Sequence, residues 1–168
     1  MSARWQFRRA QESDVPAIRR IHEAGIREVC AQDYPAAVIA QWLGGIREER
    51  YRRRIGGQSF WMMEDGGRVI GFGCVWIEKS TLESLFLEPA ERGAGAATAL
   101  LAHLESIAAG AGIAELRLDS SLSAQAFYAR RGYRACSAPT SIRLESGLEL
   151  AGIPMIKTLP AAAPGAGA

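Results

Sequence analysis

The sequence predicts a mixed α/β fold, a β-sheet with helices on both faces. Three observations predict it. Between residues 14 and 58 apolar residues recur at helical spacing, from Ser59 the period shortens to that of strands, and beyond Leu87 helix and strand signals alternate. At 168 residues the chain suits one domain. A domain of that size buries roughly two-thirds of its unfolded surface and needs no disulfide or metal to hold it. The domain is read as residues 1–159, and the low-complexity PAAAPGAGA of 160–168 as a disordered tail.

Trp5 and Phe7 alternate with polar residues, the pattern of a short first strand. Ser13 and Asp14 supply helix-start signals, and Ile18, His22, Gly25 and Val29 fall on one face of the helix that follows. Pro35 restarts the chain into a second helix marked by Val38, Ile39, Trp42 and Leu43. Gly44-Gly45 ends or bends it, because glycine costs about 1 kcal/mol against alanine inside a helix. IREERYRRR (46–54) is the densest charge cluster. Such a run can grip an acidic ligand, but its mixed signs read first as a solvated helix face with i,i+4 pairs.

SFWMME and RVIGFGCVWIE are strands joined at the turn Asp65-Gly66-Gly67. The third run, TLESLFLE (81–88), is nearly all apolar towards its end and suits a central strand buried on both faces. A helix to about Ala109 follows, with Leu100, Leu101, Leu104 and Ile107 as its stripe. AELRLD (114–119) is a strand, and SAQAFYARRG (123–132) is a short helix ended by Gly132. Two last strands follow around Ser146-Gly147.

Composition narrows the function classes. With 48% hydrophobic and 23% charged residues the profile is that of a soluble globular protein. No apolar run approaches ~18 residues, so no membrane span is expected, and MSARWQFRRAQESD lacks the apolar segment of a signal peptide. Cys30, Cys74 and Cys136 are odd in number and show no CxxC spacing. They suit reduced thiols of a cytoplasmic protein, not a disulfide frame or zinc site. His22 and His103 are the only imidazoles, with no carboxylate pattern around them, so no metal is expected. A net charge of +2 is too small to argue for nucleic acid as a partner.

LEPAERGAGAATALLAHLESIA (87–108) carries the first chemical signal. A helix N-terminus holds about half a positive charge and several unpaired N–H groups. Glycine at 93 and 95 removes side chains that would keep a phosphate from the backbone, and Arg92 adds a cation. These are the parts of a pyrophosphate cradle, although a glycine corner can equally hold nothing. A Walker loop would need Gly-Lys-Ser/Thr, which is absent. A dinucleotide fingerprint would want glycine or alanine where Thr98 stands, and a first βα unit near the N-terminus.

Leu85-x-Leu87-x-Pro89-x-x-Arg92-x-x-Gly95-x-Ala97 resembles motif A of the GCN5-related N-acetyltransferase (GNAT) superfamily, whose members bind acetyl-coenzyme A. Ala124-x-x-Phe127-Tyr128-x-x-x-Gly132-Tyr133 is similar to the family's motif B. The two stand in the family's order, joined by a helix and a strand. The likeness is sharp over residues 81–134 and extends loosely from Trp5 to Leu159. Ser121 stands where many members have Asn, which keeps a helix-capping oxygen; Ala96-Ala97 replaces the commoner apolar-Gly pair, and Tyr133 replaces Phe. The resemblance implies a mostly antiparallel sheet of about seven strands, splayed between the fourth and fifth.

It also implies roles. Backbone N–H groups of Gly93, Ala94, Gly95, Ala96 and Ala97, with the Arg92 side chain, would hold the cofactor pyrophosphate. Leu85, Phe86 and Leu87 would run beside the pantetheine arm, with Ser121, Ala124 and Phe127 completing the cofactor site. The N–H of Leu85 would face the thioester carbonyl and stabilise its oxyanion, an effect worth about 3–4 kcal/mol in other acyl-transfer enzymes. Tyr128 would donate a proton to the leaving thiolate; without the motif it reads as a core aromatic beside Phe127. A phenol near pKa ~10 protonates a thiolate near ~8.5 only with help from its surroundings.

The base is open between two readings. In a bulge-free register Glu83 alternates onto the face of Leu85 and Leu87, where it is a candidate general base or, equally, a structural carboxylate. His22 reads first as a packed, hydrogen-bonded histidine; the family builds its acceptor wall there, which also makes His22 a candidate substrate contact. His103 reads as surface, and Cys74 and Cys136 as structural, so no covalent cysteine relay is expected. The implied activity is direct transfer of acetyl from the cosubstrate acetyl-coenzyme A to a primary amine, a small molecule first. An inactive acyl-CoA-binding protein and a protein N-terminal or lysine acetyltransferase are the other readings. No motif in residues 14–58 or in the last strands identifies the acceptor, and sheet edges near the C-terminus leave a homodimer open.

Overall fold

A computed structural model describes residues 4–162 of the chain. In chain order come strand β1 (Trp5–Arg9), helices α1 (Val15–Glu28), α2 (Ala36–Gly44) and α3 (Glu48–Gly57), and strands β2 (Ser59–Asp65), β3 (Arg68–Trp76) and β4 (Thr81–Leu87). Helix α4 (Ala96–Gly110), strand β5 (Glu115–Ser121) and helix α5 (Gln125–Ala129) follow, then strands β6 (Arg134–Ala135), β7 (Thr140–Arg143) and β8 (Glu149–Thr158). The strands form one eight-stranded sheet in the order β1-β2-β3-β4-β5-β8-β6, with β7 sharing the far edge of β8. Every pairing is antiparallel except β4–β5.

The mixed, mostly antiparallel sheet is the one expected. Two elements add to the reading: α3, built by the charge run as a helix of its own, and the two-residue β6. Residues 163–168 of the tail read as disordered lie outside the described residues. No helix among the described residues is long and apolar enough to cross a membrane.

Two apolar layers sandwich the sheet. Leu100, Leu101, Leu104 and Ala108 of α4 pack on Met63, Ile70, Val75, Leu116 and Leu118 of one face. Ile18, Ile21 and Ile26 of α1, Ile39 of α2 and Tyr51 of α3 pack on Phe60, Met62, Phe72 and Cys74 of the other. Each fully buried leucine or isoleucine contributes roughly 1.5–3 kcal/mol, so both layers are firmly seated. Gly25 lets α1 lie close to β4, since a Cβ there would stand 2.9 Å from Phe86 Cδ1. The Tyr34 hydroxyl ties this layer to the sheet: it donates to Ala151 O at 2.6 Å and accepts the Leu122 N–H at 2.9 Å.

Strand β4 positions the site through two irregularities. Its parallel pairing with β5 is confined to Thr81↔Arg117, where the Arg117 N–H also donates to Ser80 O at 2.9 Å. Beyond that point the strands part, and the splay implied by the resemblance is present. For this reason β4 is not buried on both faces as its apolar run suggests; Leu82 is its only fully buried residue. The second irregularity is a bulge. Cys74 pairs with Ser84 and Val75 with Leu82, which leaves Glu83 without a partner.

Candidate active site

The parting of β4 from β5 opens a cavity of about 800 Å³ lined by both strands, by α1 and α3, by Ala97 at the start of α4, by α5 and by the turn between β7 and β8. Strand alternation decides which backbone groups face it. The Glu88 N–H donates to Ile70 O of β3 at 2.8 Å. Phe86 therefore turns its N–H to the same edge, and Leu85 and Leu87 turn theirs to the edge that β5 vacates. The side chains of Leu85 and Leu87 pack with the α4 layer, and that of Phe86 with the α1 layer.

Past β4 the chain makes a single 3₁₀ turn over Pro89–Glu91 and enters α4 through two left-handed glycines, Gly93 at φ +85° and Gly95 at φ +84°. Both values lie where only glycine sits without strain. No described residue accepts from the N–H groups of Gly93 through Thr98, while the Ala99 N–H makes the first helical bond, to Gly95 O at 3.0 Å. These unpaired donors and the helix N-terminus suit a phosphate group. Arg92 and Ala97 line the cavity, Gly93, Ala94 and Gly95 are exposed beside it, and Ala96 turns its methyl into the core.

The second motif closes the opposite wall, where Ser121, Ala124, Phe127 and Tyr128 all line the cavity. Helix α5 stops because Gly132, at φ +92°, allows the Gly132 and Tyr133 N–H groups to close on Ala129 O and Tyr128 O, both at 3.2 Å. The Tyr128 ring is buried edge-on between Phe127, at 5.1 Å, and Tyr133, at 5.5 Å. Its hydroxyl has no hydrogen-bond partner among the described residues, and burial pushes it above the ordinary phenol range, which keeps it protonated. Ser121 does not cap the helix: Ala124 occupies the cap position and no side chain bonds there.

At the α3 end of the cavity the bulge corrects the expected face of Glu83. Because it has no β3 partner, Glu83 leaves the Leu85–Leu87 face and reaches Arg54 of α3, Oε2 to Nη2 3.6 Å. Arg54 also approaches Ser84 Oγ at 3.4 Å and Glu145 Oε2 at 3.2 Å. His22 lines the same wall. Its Nδ1 lies 2.6 Å from the Tyr51 hydroxyl and its ring 4.5 Å from that of Phe86. Desolvation, helped by Arg54, lowers His22 to about 4, so it is a neutral, packed imidazole at pH 7.

Three further readings change. The charge run is not merely a solvated helix face: Arg47, Arg50, Arg53 and Arg54 line the cavity, and among its pairs only Arg52–Glu48 is an i,i+4 bridge. His103 is not plain surface, because it stacks on Phe7 at 4.3 Å and meets the edge of Trp61 at 4.5 Å. Cys136 is exposed, whereas Cys30 and Cys74 are buried. Burial pushes the Cys30 thiol up to about 11 and the Cys74 thiol up to about 12, so neither supplies a thiolate at neutral pH. Glu145, missed by sequence reasoning, enters from a turn with no motif of its own. Among the described residues no group of three or more His, Cys, Asp or Glu could hold a metal ion.

Comparison with solved structures gives the same architecture. A GCN5-related N-acetyltransferase, aminotransferase class-II, from Rhodopseudomonas palustris is 26% identical at a TM-score of 0.85, covering 95% of this chain and 98% of that one. The PaiA N-acetyltransferase of Thermoplasma acidophilum, solved with coenzyme A, is 19% identical at a TM-score of 0.75, covering 94% and 99%. A ribosomal-protein-S18-alanine N-acetyltransferase from Escherichia coli is 18% identical at a TM-score of 0.67, covering 98% and 99%. Among curated proteins no sequence match was found. The family profile described as acetyltransferase (GNAT) domain matches residues 30–159, from just past α1 through β8, and by that match the chain belongs to the GNAT acetyltransferase family.

Proposed function

We propose that the protein transfers acetyl from acetyl-coenzyme A to the primary amine of a small molecule, by direct attack within a ternary complex. The observation that carries this reading is the gap between β4 and β5, with unpaired N–H groups at one end and a buried phenol across it. The pyrophosphate lies against the N–H groups of residues 93–97 with Arg92 beside it, and the pantetheine arm follows the vacated edge of β4. This places the thioester carbonyl against the Leu85 N–H. The amine nitrogen attacks the carbonyl carbon, the new C–N bond forms, and the oxyanion is held by that N–H. On collapse the C–S bond breaks. The thiolate, desolvated in the same pocket and so more basic than in water, takes the Tyr128 proton. Glu83 accepts the proton of the amine, directly or through water, and exchange with solvent returns a proton to Tyr128.

Direct attack is supported by the raised thiols of Cys30 and Cys74, neither of which is activated to form an acyl-enzyme. A small acceptor is supported by the β7–β8 turn, whose Glu145 is bound to α3 and draws the turn across the acceptor side of the cavity. The test is release of free coenzyme A, measured with a thiol reagent across a panel of small amines and peptides. Amine-dependent release is expected, with kcat lowered about 100-fold or more by Tyr128→Phe. Tight acetyl-coenzyme A binding without turnover, or turnover confined to peptides, would overturn the reading.

A further inference from the structure

The α3 arginines concentrate positive charge at one place in the cavity. Three of them converge on a single carboxylate, Glu145 of the β7–β8 turn: Arg54 Nη2 at 3.2 Å, Arg50 Nε at 3.8 Å, and Arg53 in direct contact. Arg47 lines the same wall. Glu83 is the other carboxylate in reach, at 3.6 Å from Arg54, so three guanidinium groups share two acids, while Arg47 donates to Gly44 O and Ile46 O. Asp119, the remaining carboxylate of the cavity, lies across it on β5.

These arginines are not placed for the cofactor phosphates. Arg54 meets β4 at Glu83 and Ser84, near the middle of the strand. The glycine turn and Arg92 lie beyond the strand's other end at Leu87, where the chain supplies its own cation and N–H donors. From Ser84 to Arg92 the chain runs along β4 and then through a 3₁₀ turn, so the two cationic groups bracket the reacting centre. A guanidinium fork matches a planar or tetrahedral oxyanion better than it matches any neutral group. The contacts to Glu145 are partly solvated: its side chain is 36% exposed, against 63% for Arg53, 28% for Arg50 and 22% for Arg54. Exposed pairs of this kind are weak and exchangeable, so an incoming oxyanion can replace the Glu145 carboxylate.

We propose that Arg50, Arg53 and Arg54 bind the oxyanion of an acidic primary amine, a carboxylate, phosphate or phosphonate, at the place Glu145 fills in its absence. This rests on the acetyl-transfer reading. The acceptor then lies with its acid on α3 and its amine beside Glu83, facing the thioester. Glu145 acts as an internal competitor that keeps the arginines paired until such an amine arrives.

Coenzyme A release is measured on matched pairs of amines that differ in the acid: 4-aminobutyrate against butylamine, glutamate against glutamine, O-phosphoserine against serine. The anionic member is expected to have the higher kcat/KM by at least ten-fold. Arg50→Gln with Arg53→Gln should lower that ratio at least ten-fold, and Glu145→Gln should lower KM for the anionic member several-fold. Since Arg50 also donates to Gly45 O at 2.6 Å, Arg53→Gln alone serves where the double variant fails to fold. Preference for neutral or cationic amines, with a ratio these variants do not move, overturns the inference while the acetyl-transfer reading stands. If no amine is turned over, that reading fails, and titration of 4-aminobutyrate and O-phosphoserine into the coenzyme A complex decides the inference. Binding weakened by Arg53→Gln supports it, and no binding overturns it.

Discussion

The two halves of the cavity are built from different materials. The donor half consists of main-chain groups and small or buried residues in two short stretches: the vacated edge of β4, the left-handed glycines at 93 and 95, and the Phe127–Tyr128 pair. The acceptor half consists of long charged side chains from α3, β4 and the β7–β8 turn, backed by the neutral His22 of α1. Main-chain donors are fixed by backbone angles, so a side-chain substitution other than to proline leaves them in place. Side-chain forks change with any substitution. A molecule that keeps one cosubstrate and adapts its acceptor gains from that division.

The largest effect is expected where the donor half depends on one N–H. Leu85→Pro removes the donor facing the gap but leaves the β3 ladder intact, since Phe86 and Glu88 make those bonds. The kcat for acetyl transfer should fall by about 10²–10³ relative to Leu85→Ala, which also removes the leucine branch but keeps the N–H. Equal rates for the two variants would remove Leu85 from the mechanism. Phe86→Pro, one residue along, should instead unfold the protein in a urea titration at much lower concentration, because it breaks a bond to β3.

A smaller effect tests the acceptor half through His22. Its native value of about 4 lies below the ordinary 6.5, so the unfolded chain takes up the proton first as pH falls. The stability held by neutral His22 is complete above about pH 6.5 and is lost progressively down to about pH 4. Between pH 7 and pH 5 the loss is at most roughly 2 kcal/mol, reduced to the extent that the cavity admits water. Urea midpoints at the two pH values should converge in His22→Gln relative to wild type. Unchanged pH dependence would mean that His22 titrates as an exposed imidazole.

Donor and acceptor halves also differ in how far the sequence reveals them. The glycine turn and the Phe127–Tyr128 helix are legible because each is a contiguous segment whose backbone demands particular residue types. The element order places the helices and the sheet correctly because burial periodicity is local. Glu83 is misplaced because a bulge shifts its face, and nothing in TLESLFLE marks a bulge; the cue is the pairing of Cys74 and Val75 with Ser84 and Leu82. The Arg50–Arg53–Arg54–Glu145 cluster joins residues about ninety positions apart, so a run that looks solvated by i,i+4 logic becomes a cavity wall only after β8 has drawn its turn over α3. Cys136 and His103 fail for a related reason: strand-like or stripe-flank patterns do not say which edge or ring will cover them.

The smallest effect separates the halves by one kind of substitution. At Gly95 an added Cβ has open space, its nearest neighbour being Trp5 Cη2 at 3.8 Å, so Gly95→Ala is opposed only by the left-handed φ of +84°. That costs about 1–2 kcal/mol, which for a chain of this size lowers Tm by roughly 2–8 °C. Bound coenzyme A should restore part of the loss, since ligand that binds only the native turn stabilises it. At Gly45 the backbone is ordinary, with φ −88°, but a Cβ would stand 2.9 Å from Ser146 Cβ on the turn that carries Glu145. Gly45→Ala therefore presses on the acceptor side and should change KM for the amine more than KM for acetyl-coenzyme A. Gly95→Ala should do the reverse, since its strain sits among the N–H groups proposed to hold the pyrophosphate. If both substitutions shift the same constant, donor and acceptor halves move as one body and the division of labour between backbone and side chains does not hold.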